Sequence, residues 1–167
     1  MAGLAAIAAC SSGVRPEDQL VIDAIATQRA GTVPDPPQPV IHCGDCERVD
    51  VVRVIDGDTI DTGIGRIRFY GVDSPERDER CFDEATEFTR RLAGVAVRVE
   101  EGPRAEDQFG RLLRYVYDLS GNSIEVQLVA GGFARAPAND GQHAARLAEL
   151  EQSARANHTG CLWPVAR

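Results

Sequence analysis

The sequence has no lysine, so all 18 basic residues among its 167 are arginines. The planar guanidinium of arginine donates parallel hydrogen bonds to phosphate or carboxylate, which a lysine ammonium cannot do. A bias of the whole genome towards arginine explains this composition equally well, so the absence of lysine alone does not indicate a phosphate ligand. The chain also lacks an apolar run of about 18 residues, and no membrane-spanning helix is predicted.

Positive charge is scarce as well. The formal net charge of −8 argues against a broad basic surface for nucleic acid. A local site remains open, because a bound divalent cation and a few arginines can reverse the sign of the field at one place. With 43% hydrophobic residues, the chain can form one domain with a packed core and has room for an additional segment.

The N-terminal part reads as a signal remnant followed by a tether. Residues 1–10 form a short apolar run that ends in Cys10, as at the end of a bacterial lipoprotein signal, although a basic region is missing. We therefore expect an extracytoplasmic protein, either secreted or anchored in a membrane through a lipidated Cys10. Residues 11–46 include the proline-rich stretch 34–39 and predict a linker or tether. Residues 47–167 are then the folded domain.

Cysteine usage is consistent with that location. Four cysteines remain after Cys10 is set aside: Cys43, Cys46, Cys81 and Cys161. Four cysteines allow three disulfide pairings. We favour Cys43–Cys46 with Cys81–Cys161, because the second bond would tie the C-terminus to the loop after an acidic cluster. A half zinc site at His42, Cys43 and Cys46 or a redox motif is the alternative, but no second ligand pair follows and the motif does not open a helix.

Local patterns predict strands and helices that alternate along the chain. Apolar alternation predicts strands at 51–55, 59–61, 66–70, 95–99 and 112–117. Helical spacing predicts helices over 83–92, from Asn122 to the Gly131-Gly132 pair, and over 140–156. Asp56-Gly57 is a hairpin turn signal, and Asn122 with Glu125 has the spacing of a capping box. Together these elements predict a small antiparallel barrel with helices packed outside.

Acidic residues and arginines are concentrated in three motifs. These are Asp56-Gly57-Asp58-Thr59, then Arg68 with Val72-Asp73-Ser74-Pro75-Glu76, and finally Asp107-Gln108-Phe109-Gly110-Arg111. Carboxylates hold hard divalent cations, and arginines bind phosphate oxygens. An additional glutamate can activate water. These residue types are the components of metal-assisted attack on a phosphodiester.

In this order, the motifs resemble the staphylococcal nuclease (thermonuclease) family over about residues 51–163. The resemblance implies an α+β fold, a five-stranded OB-like β-barrel with three packed helices. It also implies a calcium-dependent, sugar-nonspecific nuclease that hydrolyses DNA and RNA, with single-stranded or frayed substrates favoured, and leaves 3′-phosphates. We expect a monomer.

The resemblance assigns a role to each candidate site residue. Asp58, Asp73 and the main-chain carbonyl of Ser74 correspond to the calcium ligands. Asp56 corresponds to an acid near the metal, or is simply the first residue of the turn. Because few charged ligands surround an open site, weak calcium affinity is expected.

The remaining candidates act on water and phosphate. Glu76 corresponds to the general base, or to the group that orients the attacking water. Arg68 and Arg111 correspond to the pair that grips the scissile phosphate and stabilises the charge that develops on it.

The chain departs from the family pattern in residues around the substrate. Gln108 replaces a lysine, Phe109 replaces a tyrosine, and residues 136–138 lack the tyrosine that packs near the base. These changes affect binding strength and base preference. Two other functions remain open: a noncatalytic module that binds nucleic acid or protein, and a surface lipoprotein that serves as a scaffold. A surface salt-bridge network would explain any one of the charged residues taken singly.

Overall fold

The structure is a computed structural model that describes residues 41–165. The expected signal remnant with Cys10 and most of the expected tether lie outside the described residues. Within the described range, no helix has the length and apolar character needed to cross a membrane.

Residues 41–165 contain five strands that close into a barrel. They are β1 (Glu47–Val54), β2 (Thr59–Thr62), β3 (Gly65–Phe69), β4 (Ala96–Glu106) and β5 (Leu112–Tyr117). Their order around the barrel is β1-β2-β3-β5-β4, and β4 pairs back to β1. Because the sheet is closed, these strands leave no long free edge.

One pairing differs from the predicted antiparallel arrangement. β3 and β5 run parallel, with Ile67 opposite Leu112, whereas β1–β2, β1–β4, β2–β3 and β4–β5 are antiparallel. Parallel neighbours need a long crossover connection. Here the crossover is the whole segment between Phe69 and Leu112, which includes a helix and β4.

The described part of the chain also contains three helices, α1 (Phe82–Ala93), α2 (Ile124–Ala130) and α3 (Ala144–Ala156). Their apolar faces cover the barrel and complete one core. The fully buried members of this core are Ile60, Ile67, Val97, Val116, Ile124, Leu128, Val129 and Ala134. The α+β barrel with packed helices predicted from the sequence is therefore confirmed.

The start of α2 differs from the prediction. Ser123, rather than Asn122, is the N-cap, and its Oγ accepts a hydrogen bond from the Val126 amide at 3.2 Å. Glu125 does not complete a capping box. Its carboxyl is buried, where it accepts hydrogen bonds from the Val116 amide at 2.7 Å and the Ser123 hydroxyl at 2.8 Å. Burial raises the pKa of Glu125 to about 8.

Two disulfides lie near the two ends of the described range. Cys43 pairs with Cys46 and Cys81 pairs with Cys161, as the sequence analysis favoured. The Cys43 amide also donates to the Gly121 carbonyl at 2.9 Å. Residues 41–46, the part of the expected tether that the structure describes, therefore contact the barrel.

The C-terminal segment packs against the end of α2. Gly131 is the C-cap of α2, and Gly132 has a positive φ of 70°. A side chain on Gly132 would overlap the main chain of Thr159 and Gly160. The Leu162 amide then donates to the Gly132 carbonyl at 3.2 Å. This contact places the residues after α3 beside the segment that follows α2.

Candidate active site

The turn between β1 and β2 is fixed from both sides. Inside the turn, Asp56 Oδ1 accepts a hydrogen bond from the Asp58 amide at 3.1 Å. Outside it, the Thr89 hydroxyl of α1 donates to the Gly57 carbonyl at 2.6 Å. Gly57 has no side chain, so the turn can contact Ser74 in the segment after β3. The predicted Asp56-Gly57 turn therefore also positions Asp58.

Asp58 is the buried carboxylate of the site, with 4% of its surface exposed. Its Oδ2 accepts a hydrogen bond of 2.5 Å from the Ser74 amide. Its Oδ1 accepts one of 3.1 Å from the Thr59 hydroxyl and also contacts Arg68 Nη1. A carboxylate with this many donors is held in one orientation.

Arg68, on β3, joins the two acids that the sequence analysis assigned to the metal. Its Nη1 contacts Asp58, and its Nη2 donates to Asp73 Oδ1 at 3.0 Å. Burial lowers the pKa of Arg68, the charge of Asp73 opposes this, and the nearby charge of Arg111 lowers the pKa further.

The main chain of Asp73 is held by the segment after α2. The Asp73 amide donates to the Arg135 carbonyl at 2.9 Å, and the Arg135 amide donates to the Asp73 carbonyl at 2.8 Å. The Asp73 side chain remains half exposed. It can therefore meet a ligand from solvent while its backbone stays in place.

Glu76 lies on an exposed loop three residues after Asp73. Its amide donates to Glu79 Oε2 at 3.0 Å, and the Glu79 amide donates to the Glu76 carbonyl at 2.9 Å. These bonds fix the main chain of the loop, and the Glu76 side chain is exposed to solvent.

Arg111 is positioned by Asp107 in the turn between β4 and β5. Asp107 Oδ2 accepts a hydrogen bond of 2.6 Å from Arg111 Nε, and Oδ1 accepts from the amides of Phe109 and Arg111 at 2.8 and 3.0 Å. Burial alone would raise the pKa of Asp107, but these hydrogen bonds outweigh it and lower the pKa.

Asp56 interacts electrostatically with both arginines. Burial raises its pKa, whereas its hydrogen bond with Thr59 and the charges of Arg68 and Arg111 act in the opposite direction. Asp56 is therefore both the turn residue and part of the charged cluster, so the two interpretations of the sequence are compatible.

Two residues that support the site were not predicted from the sequence. Asp107 had no assigned role, although an aspartate three residues before Gly110 is typical of a turn that binds its own backbone. Thr89 had none either, because no sequence signal indicates that a helical threonine will bind a carbonyl 32 residues away.

The donor set can be compared with the chemistry of a metal site. Among residues 41–165, no group of three or more His, Cys, Asp or Glu side chains is arranged to hold a metal. The available donors are the carboxylates of Asp58 and Asp73 and main-chain carbonyl oxygens. Oxygen donors suit a hard cation such as Ca²⁺, and so few carboxylates imply weak binding. The donor chemistry fits calcium, with Arg68 as a competitor for the same oxygens.

The fold and site together define a class of protein, an α+β barrel that carries an arginine–carboxylate cluster beside an exposed acidic loop. Comparison with known families agrees with this class. The family model described as Staphylococcal nuclease homologue matches residues 66–164, which is more than half of the chain. The chain therefore belongs to the staphylococcal nuclease family.

Individual relatives share about a third of their aligned residues with this chain. The chain is 38% identical to a thermonuclease of Staphylococcus hyicus over 97 residues, 52% of this chain and 57% of the relative. It is 38% identical to a thermonuclease of Staphylococcus intermedius over 104 residues, 54% and 61% respectively. It is 34% identical to endonuclease YhcR of Bacillus subtilis (strain 168) over 116 residues, 59% and 9% respectively. The chain thus spans less than two thirds of each of these relatives.

Proposed function

We propose that this protein is a calcium-dependent, sugar-nonspecific nuclease that hydrolyses phosphodiester bonds of DNA and RNA and leaves 3′-phosphates. The observation that carries the proposal is the arrangement around Arg68, whose guanidinium binds both Asp58 and Asp73. Membership of the family and the names of the relatives, thermonuclease and endonuclease, support the same activity.

Calcium would be held by Asp58, Asp73 and the carbonyl of Ser74. When bound, the ion would polarise the phosphate and lower the pKa of a coordinated water. Each ligand already has a fixed main chain: the Ser74 amide binds Asp58, and Arg135 pairs with Asp73. Because these main-chain groups are already ordered without the ion, less of the binding free energy is lost to ordering them.

Arg68 has two functions in this proposal. Without a metal, its guanidinium neutralises Asp58 and Asp73, which would otherwise repel each other. A divalent cation held by those carboxylates would leave more of the Arg68 donor groups free for a phosphate oxygen. Arg68 would therefore bind phosphate more strongly with the metal bound than without it.

Arg111 and Glu76 complete the catalytic set. Arg111 keeps one edge of its guanidinium on Asp107 and presents the remaining donors to the phosphate, where negative charge increases during attack. The exposed carboxylate of Glu76 accepts a proton from the attacking water, or orients that water for in-line attack. The bond between phosphorus and the 5′ oxygen breaks, and the leaving 5′ oxygen takes a proton from solvent while Glu76 returns its proton to solvent.

The test is a nuclease assay on the full chain with single-stranded DNA and with RNA, in calcium, magnesium or chelator. Cleavage in calcium and none in chelator is the expected result. Glu76→Gln is expected to reduce turnover by on the order of 100-fold or more, whereas the exposed helical carboxylate variant Glu84→Gln serves as the matched control. Equal loss in both variants, or none in either, would remove Glu76 from the mechanism.

The same assay separates the enzyme from a noncatalytic binding module. A binding module would retain single-stranded DNA in calcium without shortening it. We further propose that the protein functions outside the cytoplasm, because disulfides persist in oxidising compartments. A monomeric state is also part of the proposal. Anchoring through a lipidated Cys10 is part of this proposal, and detergent-dependent extraction of the native protein, abolished by Cys10→Ser, tests it.

A further inference from the structure

A cavity of about 350 Å³ lies between the loop before α1, the segment after α2 and the C-terminal segment. Its lining residues are Glu79, Arg80, Arg135, Cys161 and Leu162. We call it the Arg80–Arg135 cavity. Its volume falls within the range of small-ligand pockets. None of the candidate catalytic residues lines it, so it is a separate feature of the molecule.

The cavity is built by long-range contacts. The Cys81–Cys161 disulfide joins the residue after Arg80 to the segment that continues into Leu162. The Leu162 amide binds the Gly132 carbonyl, which holds this segment three residues from Arg135. Two arginines that are 55 positions apart in sequence therefore face the same cavity. A covalent bond and main-chain contacts give the pair a defined position despite its exposed side chains.

The cavity adjoins the candidate active site. The main chain of Arg135 is paired with that of Asp73, at 2.8 and 2.9 Å. On the other side, Glu79 lines the cavity, and Oε2 of its carboxylate accepts a hydrogen bond of 3.0 Å from the Glu76 amide. The same residues that hold Asp73 and Glu76 in place thus form two walls of the cavity.

The charges on the walls favour an anion. Two arginines and one glutamate are the charged residues that line it, and the Glu79 carboxylate already accepts a hydrogen bond from a main-chain amide. The guanidinium carbon of Arg135 also lies 5.9 Å from the centre of the Trp163 ring, at the outer limit of a cation–π contact. The planar guanidinium fork of arginine suits a phosphate, because little of its freedom is lost for each hydrogen bond formed.

We propose that the Arg80–Arg135 cavity binds a second backbone phosphate of a single-stranded polynucleotide, near the scissile phosphate held by Arg68 and Arg111. This inference rests on the proposed function, because it places another part of the same substrate. It also explains how a chain with a net charge of −8 can bind a polyanion. Two local arginine pairs, rather than a broad basic surface, would hold an extended strand.

The test uses binding of a fluorescent single-stranded DNA to the full chain in chelator, so that no cleavage occurs. Arg80→Gln and Arg135→Gln are compared with Arg90→Gln, which removes the same charge from an exposed position on α1. Each cavity variant is expected to weaken binding by roughly 3- to 10-fold. The slope of log Kd against log salt is expected to fall by about 0.7 for each phosphate that the variant no longer binds.

A second measurement uses substrate length. In calcium, the rise in KM caused by either cavity variant is expected to be larger for a long strand than for a dinucleoside monophosphate, which has only the scissile phosphate. If both cavity variants match Arg90→Gln in affinity and in salt slope, the second phosphate site is wrong, even when the native chain cleaves DNA. If the native chain cleaves no nucleic acid in calcium, the proposed function fails first.

Discussion

Gly57 lies against Ser74, and a Cβ atom added to Gly57 would be 2.6 Å from the Cβ and 2.8 Å from the Oγ of Ser74. Real Cβ atoms do not approach so closely, so this contact requires glycine. It connects the turn after β1 to the segment after β3. As a result, Asp58 Oδ2 comes within 2.5 Å of the Ser74 amide.

Replacing Gly57 with alanine should therefore damage both stability and the metal site. The added methyl group must displace the turn or Ser74, which typically costs about 1–3 kcal/mol. We expect a lower midpoint in urea denaturation and weaker calcium binding by calorimetry. Gly63→Ala is the control, because nothing lies within 4 Å of a Cβ at Gly63. If the two variants behave alike, the contact with Ser74 does not position Asp58.

Arg68→Gln should change calcium binding and turnover in opposite directions. The native guanidinium competes with the cation for Asp58 and Asp73, so its removal should tighten calcium binding. Loss of a donor to the phosphate should lower turnover by on the order of 100- to 1,000-fold. Calorimetric titration with calcium, compared with single-turnover cleavage, gives both quantities. Weaker calcium binding in this variant would show that Arg68 supports the metal site rather than competing with it.

The disulfides should differ in their contribution to stability. Cys81 and Cys161 are 80 positions apart, and Cys43 and Cys46 are 3 positions apart. Chain-entropy arguments give about 4 kcal/mol for the longer loop and less than about 2 kcal/mol for the shorter one. We expect the Cys81→Ser/Cys161→Ser variant to unfold at a much lower urea concentration than the Cys43→Ser/Cys46→Ser variant. Equal losses would contradict this account.

The stability of the protein should decline between pH 4.5 and pH 8 because of Glu125. Its pKa rises from 4.5 to about 8 on burial, so the folded protein binds this proton more tightly than the unfolded chain. The resulting stabilisation is complete below pH 4.5, decreases as the pH rises, and is lost above about pH 8. Glu125→Gln keeps an acceptor for the Val116 amide and has no charge to bury.

Urea denaturation at pH 5 and pH 9 checks the role of Glu125. Between these two values, the free energy of unfolding should fall by roughly 1–4 kcal/mol more in the native protein than in Glu125→Gln. The exposed variant Glu84→Gln should follow the native protein. Parallel curves for the native protein and Glu125→Gln would mean that Glu125 does not titrate in this range.

Much of the fold follows from local patterns. Alternation located the five strands, since a strand with one buried face repeats every two residues. The parallel pairing of β3 with β5 was not predicted, because pairing direction depends on elements that are distant in sequence. The error at α2 has a similar origin. Asn122 and Ser123 are both good N-caps, and the contact of Glu125 with Val116 on β5 is a tertiary one.

The candidate site, like the fold, was predicted only in part from the sequence. The resemblance of the motifs to the staphylococcal nuclease family pointed to Asp58, Arg68 and Asp73, and the structure brings these side chains together. Their roles in metal and phosphate binding remain predictions. Two features could not be predicted: the hydrogen bond from Thr89 to the Gly57 carbonyl, and the position of Arg80 and Arg135 on the same cavity. Both depend on how separate segments pack.

The Cys81–Cys161 disulfide affects how the protein responds to proteolysis. It encloses α1, β4, β5, α2 and α3 in one covalent ring. A single cut in any loop within that ring would leave the two fragments joined and able to keep their contacts. A nicked molecule would therefore keep its fragments together until a reductant broke the Cys81–Cys161 bond.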